Sequence, residues 1–361
     1  MFIQRFGKLL IFAGLIGCLV YGFQVQTFAA ERRFPINRAP QGEDSIRKTH
    51  TPGDVVLEET DDAQPQPSYT YLDNPDRDVW VFDTHSASLT KTDEQQFQRI
   101  KVRRFMQMYQ QEKTHWNDST LDEFWETFDP EVPLIVFVHG NYTTPTEAIA
   151  SANMLENKFF PGNGEFAAAK YRLLIWSWPA EMVYQLHLRD AKLKGYYSIK
   201  QGEYLARFLA LVPEDSRVSL VGYSFGARTT CEAVQRLSFN KQSPKEPHIP
   251  PLQIRNLLLS PAIDQYSLAP RFRYGNVLDV SQQSIVLFNP RDFALRFYPA
   301  LVGPCGPHSL GREGIPGLPA EWKDKITGIN ISAIAETQHT FVVFFRDPNL
   351  NRRLGRYLLF E

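Results

Sequence analysis

Five consecutive residues, Gly222-Tyr223-Ser224-Phe225-Gly226, could carry covalent chemistry on an acyl group. Before them, Arg217-Val218-Ser219-Leu220-Val221 is short, apolar and β-branched, and reads as a buried strand. After them, Ala227, Cys231, Val234 and Leu237 fall at helical spacing. A serine in a tight turn between strand and helix is a nucleophile elbow; the bland alternative is a glycine-rich turn with an incidental serine. Such a turn forces Ser224 into a strained backbone, and strand and helix pass too closely for side chains at 222 and 226. The hydroxyl then stands at a helix N-terminus, where amide dipoles favour developing negative charge. Alone it is a weak nucleophile. It needs a histidine to take its proton, a carboxylate to orient that histidine, and two backbone amides for the oxyanion.

Each partner can be sought in the chain. Leu134-Ile135-Val136-Phe137-Val138 is a continuous apolar run, typical of a parallel strand covered on both faces, and it ends in His139-Gly140-Asn141-Tyr142. Gly140 lets the backbone turn sharply, so the amides of Asn141 and Phe225 are the candidate oxyanion hole. Thr144-Pro145-Thr146-Glu147 is a capping box that opens a helix to about Phe159. His139 precedes the serine and reads as a structural brace, because for an elbow of this kind the acid and then the histidine follow the serine. Asp292, just past the strand Ser284–Phe288, is the first candidate acid; Asp264, after Ile254–Leu259 and Ser260-Pro261-Ala262-Ile263, is the runner-up. Beyond the serine stand His248 in a Pro-rich excursion, His308 in a Gly/Pro-rich loop, and His339. His339 follows the strand-like Gly328–Ser332 and a short polar loop, which makes it the candidate base.

These residues together resemble the α/β-hydrolase superfamily, and more narrowly an uncharacterised, mostly bacterial branch of esterase- and lipase-like domains of unknown function. The resemblance runs over about residues 130–346. It rests on Val138-His139-Gly140, Trp176-Ser177-Trp178-Pro179, the elbow, Ser260–Asp264, Asn289–Asp292 and His339. Gly-Tyr-Ser-Phe-Gly departs from the Gly/Ala-His-Ser-Met-Gly form commoner in such proteins, at two positions that shape the serine's pocket. The resemblance implies an α/β-hydrolase fold, a mostly parallel sheet with helices on both faces, and hydrolytic chemistry. It carries no substrate, since one fold hosts many functions.

The elements needed to position these residues are visible as alternating patterns. Val79–Phe82 reads as an early strand and Thr92–Gln111 as a helix whose basic cluster, Arg99, Lys101, Arg103 and Arg104, is either a solvated face or a contact for acidic lipid. Leu121–Phe128 reads as a helix, Tyr171–Trp176 as a strand, and Tyr184–Lys194 and Ser198–Leu211 as separate helices, the first where a cap is often inserted. Trp176 and Trp178, with Tyr142 and Tyr223, are candidate substrate-binding residues, the tryptophans equally readable as core aromatics.

Composition bounds the rest. The chain has 361 residues, 43% hydrophobic and 13% aromatic, enough for one large domain with appendages. A formal net charge of −1 gives no reason to expect nucleic acid as a partner. Arg5 and Lys8, the apolar run Leu9–Val25 and Thr27-Phe28-Ala29 read as a signal peptide or membrane anchor over residues 1–29, with Cys18 in a lipobox-like context as a third reading. Export, to periplasm, medium or membrane surface, is therefore expected. Residues 30–68 are rich in Pro, Asp, Glu, Gln and Thr and read as a disordered linker; residues 69–361 form the hydrolase domain. With only Cys18, Cys231 and Cys305, and no zinc-ligand spacing or convincing phosphate loop, neither disulfide nor metal nor organic cofactor is expected. The expectation is a serine hydrolase acting on a small-molecule carboxylic ester, against the rival of an inactive binding or scaffold protein of the same fold.

Overall fold

The computed structural model describes residues 78–108, 113–184, 186–240, 251–303 and 305–361. The leader, the linker and His248 lie outside them. Among the described residues the strands are β1 (Asp78–Asp83), β2 (Lys101–Met108), β3 (Lys113–Ser119), β4 (Leu134–Val138) and β5 (Arg172–Ser177). They continue with β6 (Arg217–Tyr223), β7 (Gln253–Leu259), β8 (Gln283–Phe288) and β9 (Ile326–Asn330). They form one sheet in the order β3-β2-β1-β5-β4-β6-β7-β8-β9. From β1 to β9 every neighbouring pair is parallel, while β2 and β3 run antiparallel at one end. All parallel strands thus open their carboxyl ends on one edge of the sheet, which is where an open α/β sheet binds ligands.

Side chains alternate between two apolar layers. In β4, Val136 and Val138 face one layer and Ile135 and Phe137 the other, all fully buried. The first layer is closed by α3 (His187–Leu209) and α4 (Phe225–Asn240), which contribute Tyr204, Phe208, Cys231 and Val234. The second is closed by α2 (Pro145–Phe159) and α5 (Pro348–Leu358) through Leu155, Phe159, Leu354 and Leu358. Each such side chain contributes roughly 1.5–3 kcal/mol by leaving water. α2 begins at the expected capping box: the Glu147 amide donates to Thr144 Oγ1 at 3.3 Å, and the Thr144 amide to Glu147 Oε2 at 2.8 Å. A shorter helix, α1 (Leu121–Glu126), precedes β4 and places Phe124 against Trp80 and Phe208.

Two expectations are corrected. Thr92–Gln111 is not a helix: one helical turn, Glu94–Phe97, leads into β2, which pairs with β1 and β3. Strand pairing overrides the helical composition, because Val102 enters one layer and Phe105 the other. The basic cluster therefore forms no helix face. Arg104 lies over Trp80 at 5.0 Å and bonds Asp78 at 3.3 Å, beside Arg172, which also bonds Asp78. Tyr184–Lys194 and Ser198–Leu211 are in turn one continuous helix, α3, of 23 residues. Cys231 is buried and Cys305 exposed.

Candidate active site

Ser224 follows β6 with φ 53°, a left-handed conformation that costs about 1–3 kcal/mol for a residue with a side chain. Its backbone is held on three sides. The Ser224 amide donates to Leu259 O at 3.0 Å, and its carbonyl accepts from the amides of Ala227 at 3.2 Å and Ala262 at 3.1 Å. The flanking glycines are steric necessities: a Cβ on Gly222 would lie 2.5 Å from Ala227 Cα, and one on Gly226 2.0 Å from Val138 O. That second approach ties the start of α4 to the end of β4.

Two further loops deliver polar side chains to the serine. His339 Nε2 accepts from the Ser224 hydroxyl at 3.0 Å, and His339 Nδ1 donates to Asp292 Oδ2 at 2.6 Å. Asp292 is buried, and its other oxygen accepts the Leu295 amide at 2.9 Å. Loops 289–293 and 336–339 are stitched together, since Asn289 Nδ2 donates to Glu336 O at 2.9 Å and the Phe293 amide to Thr337 O at 3.0 Å. Tyr223 adds a clamp from below: its hydroxyl donates to the His339 carbonyl and its ring lies 5.5 Å from the imidazole. Burial and the neighbouring Asp292 push that phenol well above its ordinary range, so it remains a donor.

The loop after β4 completes the floor. A Cβ on Gly140 would sit 2.9 Å from the Tyr223 ring and 3.2 Å from Ser224 Cβ, so glycine lets the loop abut the serine without displacing either. Tyr142 takes a left-handed φ of 56° and commits its amide to Ala180 O at 2.9 Å, while Asn141 and Phe225 both line the cavity beside Ser224. His139 holds this loop. Its Nδ1 donates to Gly140 O at 3.0 Å, its Nε2 accepts the Trp178 amide at 3.1 Å, and its carbonyl accepts Trp178 Nε1 at 2.9 Å. Burial pushes its pKa down to about 4, so the ring is neutral at ordinary pH.

Above the serine opens a cavity of about 620 Å³. Its floor is Asn141, Tyr142, Tyr223, Ser224, Phe225 and His339, and its walls are Leu188 and Ala191 of α3 against Phe293, Leu295, Phe297, Tyr298 and Leu301. Trp176 and Trp178 are absent from it, which corrects their reading as substrate-binding residues. Both are 0% exposed. Trp176 bonds Gln201 and packs beside Phe82 and Phe208, while Trp178 stacks on His139 at 5.6 Å. Asp264 is also placed elsewhere: its carboxylate accepts from Tyr298 OH at 2.8 Å, which accepts from Arg228 at 2.7 Å. It therefore buttresses a pocket wall rather than touching His339. His308 sits exposed, 3.5 Å from Glu313.

Sequence reasoning missed the walls, because the residues after Asp292 follow no period; the two phenylalanines of Asp292-Phe293-Ala294-Leu295-Arg296-Phe297 were the available signal. It also missed His85, whose Nδ1 donates to Asp83 at 2.6 Å while Nε2 lies 3.0 Å from Glu181. Against burial, bonds to those two carboxylates raise its pKa. Among the described residues no cluster of histidine, cysteine and carboxylate side chains is arranged to hold a metal ion.

A parallel sheet with helices on both faces and a serine on a glycine-flanked strand-to-helix turn define the α/β-hydrolase class. Residues 117–304, just over half of the chain, match the family of alpha/beta hydrolases of unknown function (DUF900), and the chain belongs to that family. The protein is a hydrolase of this fold. No curated protein matches it. Among solved structures it is similar to an inhibited esterase B of Lactobacillus rhamnosis (11% identity, 79% of this chain and 87% of that chain, TM-score 0.36). It is also similar to an esterase of Pyrobaculum calidifontis (12%, 63% and 76%, TM-score 0.29) and to carboxyl esterase 2 of the mycorrhizal fungus Tuber melanosporum (10%, 72% and 81%, TM-score 0.33). Likeness at that level says nothing about substrate.

Proposed function

We propose that this hydrolase is a serine esterase. The observation that carries the reading is the unbroken chain Ser224 Oγ, His339, Asp292, with spacings of 3.0 and 2.6 Å. Ser224 attacks the carbonyl carbon of an ester as His339 Nε2 takes its proton. Buried Asp292 holds Nδ1–H and stabilises the imidazolium that forms. The amides of Phe225 and Asn141 receive the oxyanion. His339 then returns the proton to the departing alcohol, and water activated by the same ring releases the acid and frees Ser224. An apolar pocket wall favours esters with an apolar acyl or alcohol group. No step needs a cofactor. We also retain export through residues 1–29 as a proposal, checked by fractionating cells that express the full chain.

Labelling of the full chain with a fluorophosphonate, beside Ser224→Ala and His339→Ala, tests the reading. Stoichiometric labelling of the parent alone, with turnover of p-nitrophenyl esters, is expected. A folded parent that neither labels nor turns over any ester would instead make the chain a binding protein.

A further inference from the structure

Large apolar side chains left in water concentrate at the mouth of the Ser224 pocket. Leu186 is 68% exposed, Phe293 60%, Val183 58% and Phe297 55%, with Leu188 and Val302 beside them in the chain also exposed. They belong to two segments, residues 182–192 leading into α3 and residues 291–302 following the acid. Both segments line the cavity, Leu188 from one and Phe293 and Phe297 from the other. Single exposed apolar residues are ordinary on a protein surface, but a cluster around a cavity marks a place of contact.

The exposed charge on the same two segments has one sign. Arg189, Lys192, Arg291 and Arg296 are all exposed. None of the four pairs with a carboxylate among the described residues, and Arg189 rests on the Tyr184 ring at 4.3 Å. The two acids of these segments are buried and turned inward. Asp190 accepts the amides of Val183 and Tyr184, at 2.7 and 2.9 Å, and Asp292 faces His339. The rim therefore shows the outside world apolar side chains interleaved with cations. That pattern suits a lipid–water boundary, where apolar groups enter the acyl layer and long cationic side chains stay level with phosphate.

We propose that this rim docks on an anionic phospholipid bilayer, seating the mouth of the cavity on the membrane so that the apolar part of a lipid ester passes from bilayer to pocket without crossing water. Its purpose rests on the esterase reading; the docking itself does not.

The test uses the full chain with vesicles of dioleoylphosphatidylglycerol, and of dioleoylphosphatidylcholine as the uncharged control. In a Ser224→Ala background, Arg189→Gln/Lys192→Gln/Arg296→Gln is expected to weaken binding to the anionic vesicles roughly a hundredfold, at about 1 kcal/mol per cation. The added fluorescence of Leu186→Trp is expected to be quenched by brominated acyl chains, a readout of the rim that attachment through residues 1–29 cannot supply. Absence of that quenching overturns the proposal, as does equal quenching on both vesicle types. Turnover of soluble p-nitrophenyl butyrate by the parent separates the two ideas. Quenching without turnover removes the esterase and keeps the docking surface; turnover without quenching does the reverse.

Discussion

Two histidines stand past the carboxyl ends of strands in the same sheet, and their surroundings give them opposite properties. His139, after β4, is buried, with Gly140 O and the Trp178 amide as ring partners. Neither partner is charged, so burial outweighs the help of the Gly140 carbonyl and of Glu147, and it holds the ring neutral down to about pH 4. His339, beyond β9, is half-buried between a hydroxyl and a carboxylate. A proton moved onto it from Ser224 meets Asp292. On the proposed reading, similar rings at the same edge of the sheet thus divide into a brace and a base through the charge of one neighbour.

The comparison breaks first at turnover. Ser224→Ala and His339→Ala are each expected to lower kcat by about five orders of magnitude with thermal unfolding nearly unchanged. His139→Ala should do the opposite, costing stability of about 2–3 kcal/mol while the remaining protein still labels with fluorophosphonate. Loss of labelling without loss of stability in His139→Ala would reverse the assignment.

The acids sharpen it next. Asp292→Asn should reduce kcat by about 10⁴, because the amide cannot stabilise the imidazolium. Asp264→Asn should cost less than about tenfold, since its partner is Tyr298 and not the base. Equal losses in steady-state assays would return Asp264 to the site.

Stability against pH separates the histidines in solution. The unfolded chain protonates His139 near its ordinary pKa of 6.5, while the folded chain resists until about 4. The unfolded state therefore binds more protons between those values, and stability falls as pH drops from 6.5 to 4, by about 3 kcal/mol. Urea midpoints along that range should show the decline, and His139→Asn should flatten it. The smallest effect belongs to Tyr223→Phe. Removing the hydroxyl that anchors the His339 carbonyl should lower kcat by roughly fivefold with KM unchanged.

What could be read in advance follows from how local each signal is. The elbow, the capping box at Thr144 and the run Leu134–Val138 are encoded in a few adjacent residues, so their elements stand where the sequence puts them. The chain positions of Asp292 and His339 were legible as loops after strands, whereas their meeting depends on β8 lying beside β9, a property of topology. The hairpin β2–β3 was illegible because its Arg-, Gln- and Met-rich sequence favours helix until β1 offers a partner. Trp176 and Trp178 misled for a different reason. The carboxyl end of a strand faces both the pocket and the helical layer beneath it, and both indoles turn inward, to Gln201 and to the His139 carbonyl.

One consequence concerns the order in which the molecule is made. Ser224 precedes His339 by 115 residues, and His339 follows β9, the edge strand and the last in the sheet. A nascent chain can close the elbow between β4, β6 and β7 long before any histidine is there to take a proton from Ser224. If Ser224 is the nucleophile proposed above, it is an inert hydroxyl during synthesis, and reactivity arises only when the final strand docks. On that reading the order of the strands in the chain would itself time the activation of the enzyme.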